Sequence, residues 1–213
     1  ETGETGRGIR CVNDNASQNG NTFKNCNLKN RRLGLAILNG SDYVIQNNNF
    51  QLSGAGDDEP ALRVEYAVEA NLPGGVSISG NTFGGTGAAF GLKLINLSNL
   101  KISDGSLSGT NVNLGAMATN GLQNVTSGSV LHVSGLLNST ISELDLSRAG
   151  LTRQGVGLRV NNSLSNTIEK IIVGNRATGI EIVGGSANQT FTCNSLFDNT
   201  IGIDLTGTFS SSN

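Results

Sequence analysis

The chain has no tryptophan, two prolines and one histidine among its 213 residues, and only 4% of it is aromatic. A core built on large rings is excluded, so the interior must be packed with Ile, Leu and Val. The three cysteines, Cys11, Cys26 and Cys193, are too few and too scattered for a disulfide scaffold or a zinc site. They read as small buried hydrophobes or, for two of them, as one disulfide, Cys11–Cys26. Charge is scarce as well: 14% of residues are charged and the net charge is −2. That leaves no basic field for nucleic acid, and no RNP, helix-turn-helix or zinc-finger pattern is present. No apolar run approaches the ~20 residues of a membrane-spanning helix, so membrane insertion is not expected. Nothing in the sequence implies a cofactor or a metal.

What is abundant is Gly, at 30 residues, together with Asn and Ser. These are turn formers, and they recur on a period. The unit small–apolar–x–apolar appears as Gly8-Ile9-Arg10-Cys11, Gly34-Leu35-Ala36-Ile37, Ala61-Leu62-Arg63-Val64 and Gly91-Leu92-Lys93-Leu94. It returns as Gly157-Leu158-Arg159-Val160, Gly179-Ile180-Glu181-Ile182 and Gly202-Ile203-Asp204-Leu205, with Ser129-Val130-Leu131-His132 as a poorer match. Strict alternation of this kind marks a strand with one buried face. A second unit, apolar–x–x–(Asn or small)–x–apolar, follows each first unit, as in Ile45–Phe50, Ile78–Phe83 and Phe191–Leu196. Neither unit can hide its apolar face alone, whereas stacked coils share an interior and pair each strand with its copy one coil on. Asn and Gly suit the sharp corners because they tolerate left-handed backbone angles, and an inward Asn can bond its counterpart in the next coil.

The pattern predicts an all-β, right-handed parallel β-helix, a β-solenoid of about eight coils over residues 8–205. Ile9, Leu35, Leu62, Leu92, Leu158, Ile180 and Ile203 are expected to stack inward. Residues 1–7 read as a tail, since Glu1-Thr2-Gly3 and its repeat resemble a secretion-vector scar or a native start. Residues 206–213 read as a C-terminal tail or the start of a further coil. Two stretches break the rhythm: Gly54–Gly74, expected as a lateral loop, and Leu107–Gly128, expected as an irregular coil near Leu122–Val125.

At these motifs the sequence resembles the right-handed parallel β-helix repeat of the pectin-lyase-like superfamily, over nearly the whole chain. The superfamily contains polysaccharide lyases, hydrolases, epimerases, tailspikes and adhesins, so the resemblance implies a fold and leaves the activity open. A polygalacturonase-like enzyme of this fold implies Asn-Thr-Asp, Asp-Asp, Gly-His-Gly and Arg-Ile-Lys in order. Only Asp57-Asp58 is present, and His132 lies in Leu-His-Val. A pectate-lyase-like enzyme implies a calcium-binding carboxylate cluster beside an arginine base, and the carboxylates here are dispersed. If the chain is an enzyme, Asp57, Asp58 and Arg63 are the residues to carry it. The Asp57-Asp58-Glu59 triplet reads first as a solvated loop, since charged triplets before a proline such as Pro60 are ordinary turn chemistry. His132 falls where neighbouring coils place an inward apolar residue, which reads as a shifted strand or a buried histidine rather than a catalytic one.

The outward place of the first strand carries a more ordered signal. Coil by coil it reads Arg10, Ala36, Arg63, Lys93, Leu131, Arg159, Glu181 and Asp204. Arg63, Lys93 and Arg159 are candidates for a basic stripe that binds an anionic glycan. Against this stand simple solubility of the face, with Arg159 paired to Glu181, and the shortage of aromatic rings for sugar stacking. Glycosylation sequons begin at Asn15, Asn39, Asn96, Asn124, Asn138, Asn161 and Asn188, close to the number such a composition produces by chance. The expected role is an extracellular or cell-surface structural or adhesive module. The alternatives are a subunit that joins end to end through open coils, and a divergent polysaccharide lyase or hydrolase. The expected partners are other segments of the same protein, other copies of it, or a glycan or surface protein.

Overall fold

Each first-unit motif forms a strand, and the strands stack in parallel. The computed structural model describes residues 7–12, 20–31, 33–39, 43–52, 62–71, 76–79, 81–85, 90–105, 108–110, 112–114, 125 and 128–206. The first wall contains eight strands in chain order: Arg7–Val12, Leu33–Leu38, Leu62–Asn71, Phe90–Ser98, Ser129–Ser134, Val156–Asn161, Thr178–Val183 and Ile201–Thr206. A second wall of eight short strands runs from Thr22–Lys24 to Thr190–Thr192. The third wall survives in two pieces, Asn27–Arg31 with Asn49–Leu52 and Thr82–Gly85, and Ile172–Gly174 with Ser195–Phe197. Every pairing is parallel and no α-helix occurs among the described residues, so the protein is a parallel β-solenoid.

The solenoid completes about six turns rather than the eight coils the motif count suggested. Eight first-wall strands bound only seven intervals. One of these, between Phe90–Ser98 and Ser129–Ser134, is irregular. Within it the short strand Val112–Asn113 doubles back and wedges into the second wall between Val76–Ser79 and Lys101–Ser103. The other break in rhythm is partly regular: Leu62–Asn71 of the stretch expected as a lateral loop is a first-wall strand, with a register shift against Phe90–Ser98 between Ile95 and Leu97. Residues 53–61, with Asp57, Asp58 and Glu59, lie outside the described residues.

The core is columnar. Ile9, Leu35, Leu62, Leu92, Leu131, Leu158, Ile180 and Ile203 are register partners in succession. All but the two terminal members are fully buried. A parallel column runs Cys11, Ile37, Val64, Leu94, Val133, Val160, Ile182 and Leu205. Each fully buried Leu or Ile contributes about 1.5–3 kcal/mol, which lets a chain without tryptophan hold a core. The small residue opening each motif also has a steric cause. A Cβ on Gly179 would lie 2.6 Å from the Gly202 carbonyl oxygen of the next coil.

The corners are columnar too. Asn25, Asn47, Glu143, Lys170 and Cys193 all have φ between 51° and 57° at one corner. Asn99, Asn138, Ser165 and Asn188 have φ between 47° and 56° at another, and the N–H groups of the first three donate to the coil beyond. Inside the corners, side-chain amides tie coil to coil. Asn48 Oδ1 accepts the Cys26 N–H at 2.9 Å, and Asn81 Oδ1 accepts the Asn48 N–H at 3.0 Å. Asn194 repeats the geometry by accepting from Ile171 N–H and donating to the Ile168 carbonyl. Ser139, Ser163 and Ser186 do so with hydroxyls.

The Cys11–Cys26 disulfide is not made. Cys11 sits at an inward place of the first wall, while Cys26 sits at the corner after the second wall, its thiol directed to the Lys24 carbonyl at 3.4 Å. Burial raises the Cys11 thiol pKa. Cys193, expected among buried hydrophobes, is exposed on its corner.

Candidate functional site

The outward column of the first wall is the most ordered array of charge in the described structure, and its composition differs in one place from the expected one. The register partners run Arg10, Ala36, Arg63, Lys93, His132, Arg159, Glu181 and Asp204. Leu131, expected outward, is the inward partner of Leu92 and Leu158 and is fully buried. The cause is a one-residue misreading of the motif. Val130, not Ser129, occupies the small opening place, and a slip of one residue moves every side chain to the opposite face.

The column therefore places Arg63 beside Lys93, Lys93 beside His132, and His132 beside Arg159, at steps of about 4.8 Å. His132 is 6% exposed. Burial, then the charges of Lys93 and Arg159, push its pKa down to about 3, so the imidazole is neutral at neutral pH. A neutral ring between two cations removes the like-charge repulsion that a third cation would add. Arg159 turns to the acidic end, its Nε donating to Glu181 Oε2, with the two side chains 30% and 16% exposed. The solubility reading of Arg159 and the contact-stripe reading thus meet in one residue. Of the three expected stripe residues, Arg63 and Lys93 are adjacent in register and Arg159 is separated from them by His132.

Sequence reasoning missed Arg176, which is fully buried although charged. Its Nε donates to the Leu146 carbonyl at 3.0 Å and a terminal nitrogen to the Ser147 carbonyl at 3.3 Å. The other terminal nitrogen donates to the Val125 carbonyl, across 51 residues of sequence. Burial first, and then Arg148, lower the pKa of this guanidinium to about 10, with Asp145 opposing the shift. It remains charged at neutral pH and pins the irregular stretch to the regular coils. The only sequence signal is an arginine at a place where neighbouring repeats carry no charge.

Among the described residues no group of three or more His, Cys, Asp or Glu is placed to hold a metal ion. A recess of about 250 Å³ opens at the last coil, lined by Ile182, Ser186, Ala187, Asn188, Gln189, Phe191 and Leu205. Of the sequon asparagines, Asn138 and Asn188 are exposed, while Asn39, Asn96 and Asn161 are half-buried. Asn15 and Asn124 lie outside the described residues. No protein-family model, no curated protein and no solved structure matches the chain.

Proposed function

We propose that this chain is a non-catalytic, extracellular or cell-surface module, a rigid stalk or ligand-presenting segment of a larger protein. The observation that carries the reading is the unbroken first wall. Eight parallel strands, in register but for one shift between Ile95 and Leu97, with corners bonded from coil to coil, make a rod about 34 Å long at about 4.8 Å per interval. Such a stack resists bending because each coil is fixed by both its neighbours. Kinship with the non-enzymatic members of the pectin-lyase-like superfamily rests on the repeat motifs alone. An anionic glycan or a surface protein meets the rod at Arg63 and Lys93, adjacent places near the middle of its charged column.

The test is turnover against a panel of acidic and neutral polysaccharides, with Asp57→Asn/Asp58→Asn as the control. No turnover is expected. Activity that disappears in the double variant replaces this reading with that of a divergent lyase or hydrolase.

A second reading, association end to end, draws on the last coil. Phe197 is 44% exposed, Ile201 44%, Ile203 43% and Leu205 58%. The charged column is acidic there, at Asp204, and basic at the other end, at the exposed Arg10. A parallel strand of another copy, added to Ile201–Thr206 by its Arg7–Val12, brings Arg10 beside Asp204 and Ile9 over Ile203. Light scattering against concentration reads this directly. Asp204→Lys is expected to suppress association and Arg10→Glu in the same chain to restore it. Scattering independent of concentration refutes it.

A further inference from the structure

We propose that Asn138 and Asn188 are positions at which this chain carries N-linked glycans, close together on one corner of the rod. The inference rests on the reading of the protein as exported.

The sequons within the described residues separate by environment. Asn138 and Asn188 are exposed and occupy left-handed corner positions, with φ of 47° and 53°. They belong to one column. The Asn99 N–H donates to Leu137, the Asn138 N–H to Leu164 and the Ser165 N–H to Ala187, which sets Asn99, Asn138, Ser165 and Asn188 in successive coils. Asn138 and Asn188 are thus two coils, about 10 Å, apart.

Two of the half-buried asparagines, Asn96 and Asn161, are committed to packing. Asn161 donates its Nδ2 to Ser134 Oγ at 3.5 Å, and its Oδ1 fills the space over Gly184 where a Cβ would go. The Asn96 Oδ1 lies over Gly135 in the same way, 2.5 Å from the place of a Cβ. A sugar on either amide separates two coils. The third sequon residue divides the set identically: it is Thr140 and Thr190 after the exposed pair, and Ser41, Ser98 and Ser163 after the half-buried ones. Ser98 and Ser163 are themselves buried, at 2% and 1% exposure. Threonine offers the transferring enzyme the same hydroxyl plus a methyl contact.

The co-reactant is a lipid-diphosphate-linked oligosaccharide. The Asn Nδ2 forms a bond to the sugar C1 as the C1–O bond to the diphosphate breaks. The amide loses one proton to an enzyme base, the lipid diphosphate leaves, and nothing is oxidised or reduced.

The experiment is secretion of the full chain from mammalian cells behind a signal peptide. Amidase release of the glycans in heavy-oxygen water, with peptide mass spectrometry, then reads each site. In the folded, secreted pool Asn138 and Asn188 are expected to carry the label, and Asn96 and Asn161 to be unlabelled. Asn138→Gln and Asn188→Gln should each remove one glycan and lower the melting temperature of the deglycosylated protein by only about 2–4 °C, the cost of a glutamine at a left-handed corner. A folded, secreted chain unlabelled at both corner sites overturns the proposal, as does label at Asn96 or Asn161. Glycans at the corner sites of a chain that also cleaves polysaccharide refute the non-catalytic reading and leave this one standing.

Discussion

Replacing Asn81 by alanine isolates what the corner amides contribute. Asn81 is fully buried. Its Oδ1 accepts both the Asn48 backbone N–H and the Asn48 Nδ2 at 3.0 Å, and its Nδ2 donates to the Ile45 carbonyl at 2.8 Å. Asn81→Ala leaves the Asn48 N–H buried without an acceptor, which costs about 1–3 kcal/mol, and removes two further bonds at about 1 kcal/mol each. The expected destabilisation is about 4 kcal/mol. Asn47 is the internal control, since it is exposed and its side chain makes no hydrogen bond among the described residues, with φ of 54°. Asn47→Ala should cost about 1 kcal/mol through left-handed backbone strain, and Asn47→Gly close to nothing. The assay is the urea midpoint at unchanged slope, together with amide exchange at Asn48 and Cys26, because damage in a solenoid stays near its site. If Asn81→Ala costs no more than Asn47→Ala, the amide ladders are not what joins the coils.

His132 gives the fold an acid sensitivity of definite sign. Its folded pKa of about 3 lies below the unfolded value of 6.5, so the unfolded chain takes up the proton first and stability is lost as pH falls through that window. The loss is about 2 kcal/mol at about pH 5. Melting curves of His132→Gln against pH should lack that increment, and parallel curves for the two proteins would contradict the burial of the ring. Arg176→Met strips one donor each from the Leu146, Ser147 and Val125 carbonyls and should cost about 2 kcal/mol, partly offset because the charge is no longer buried. Its signature is faster exchange around Leu146 and Arg148, and unchanged exchange there would remove the arginine's role as a pin.

The fold was legible because its period is written twice, once in the apolar alternation of the first wall and once in the Asn and Gly of the corners. Both signals are local, and stacking repeats them. What sequence could not reveal depends on neighbours in space. Val130 at a place elsewhere held mainly by glycine hid the register of its strand, which put Leu131 on the wrong face and His132 inside. Glu143, Lys170 and Cys193 adopt left-handed corners without being Asn or Gly, because the stack imposes the turn. The doubling back of Val112–Asn113 has no periodic signature, so the eight motifs overstated the turns. Arg176 looks like any surface arginine until the coils close over it. Asp57 and Asp58, the residues an enzyme would need, lie outside the described residues, and the legible candidate site is therefore the charged column alone.

The central claim is that the coils form one rigid, evenly stepped rod, and the distance between its ends tests that claim most directly. Spin labels at positions 10 and 204, in a chain whose three cysteines are replaced, report the span between the first and last strands of the first wall by dipolar spectroscopy. Eight strands give seven steps of about 4.8 Å, so a single narrow distance near 34 Å, lengthened only by the reach of the labels, is expected. A broad distribution, or a separation well short of that value, contradicts the rod and with it the proposed role as a stalk.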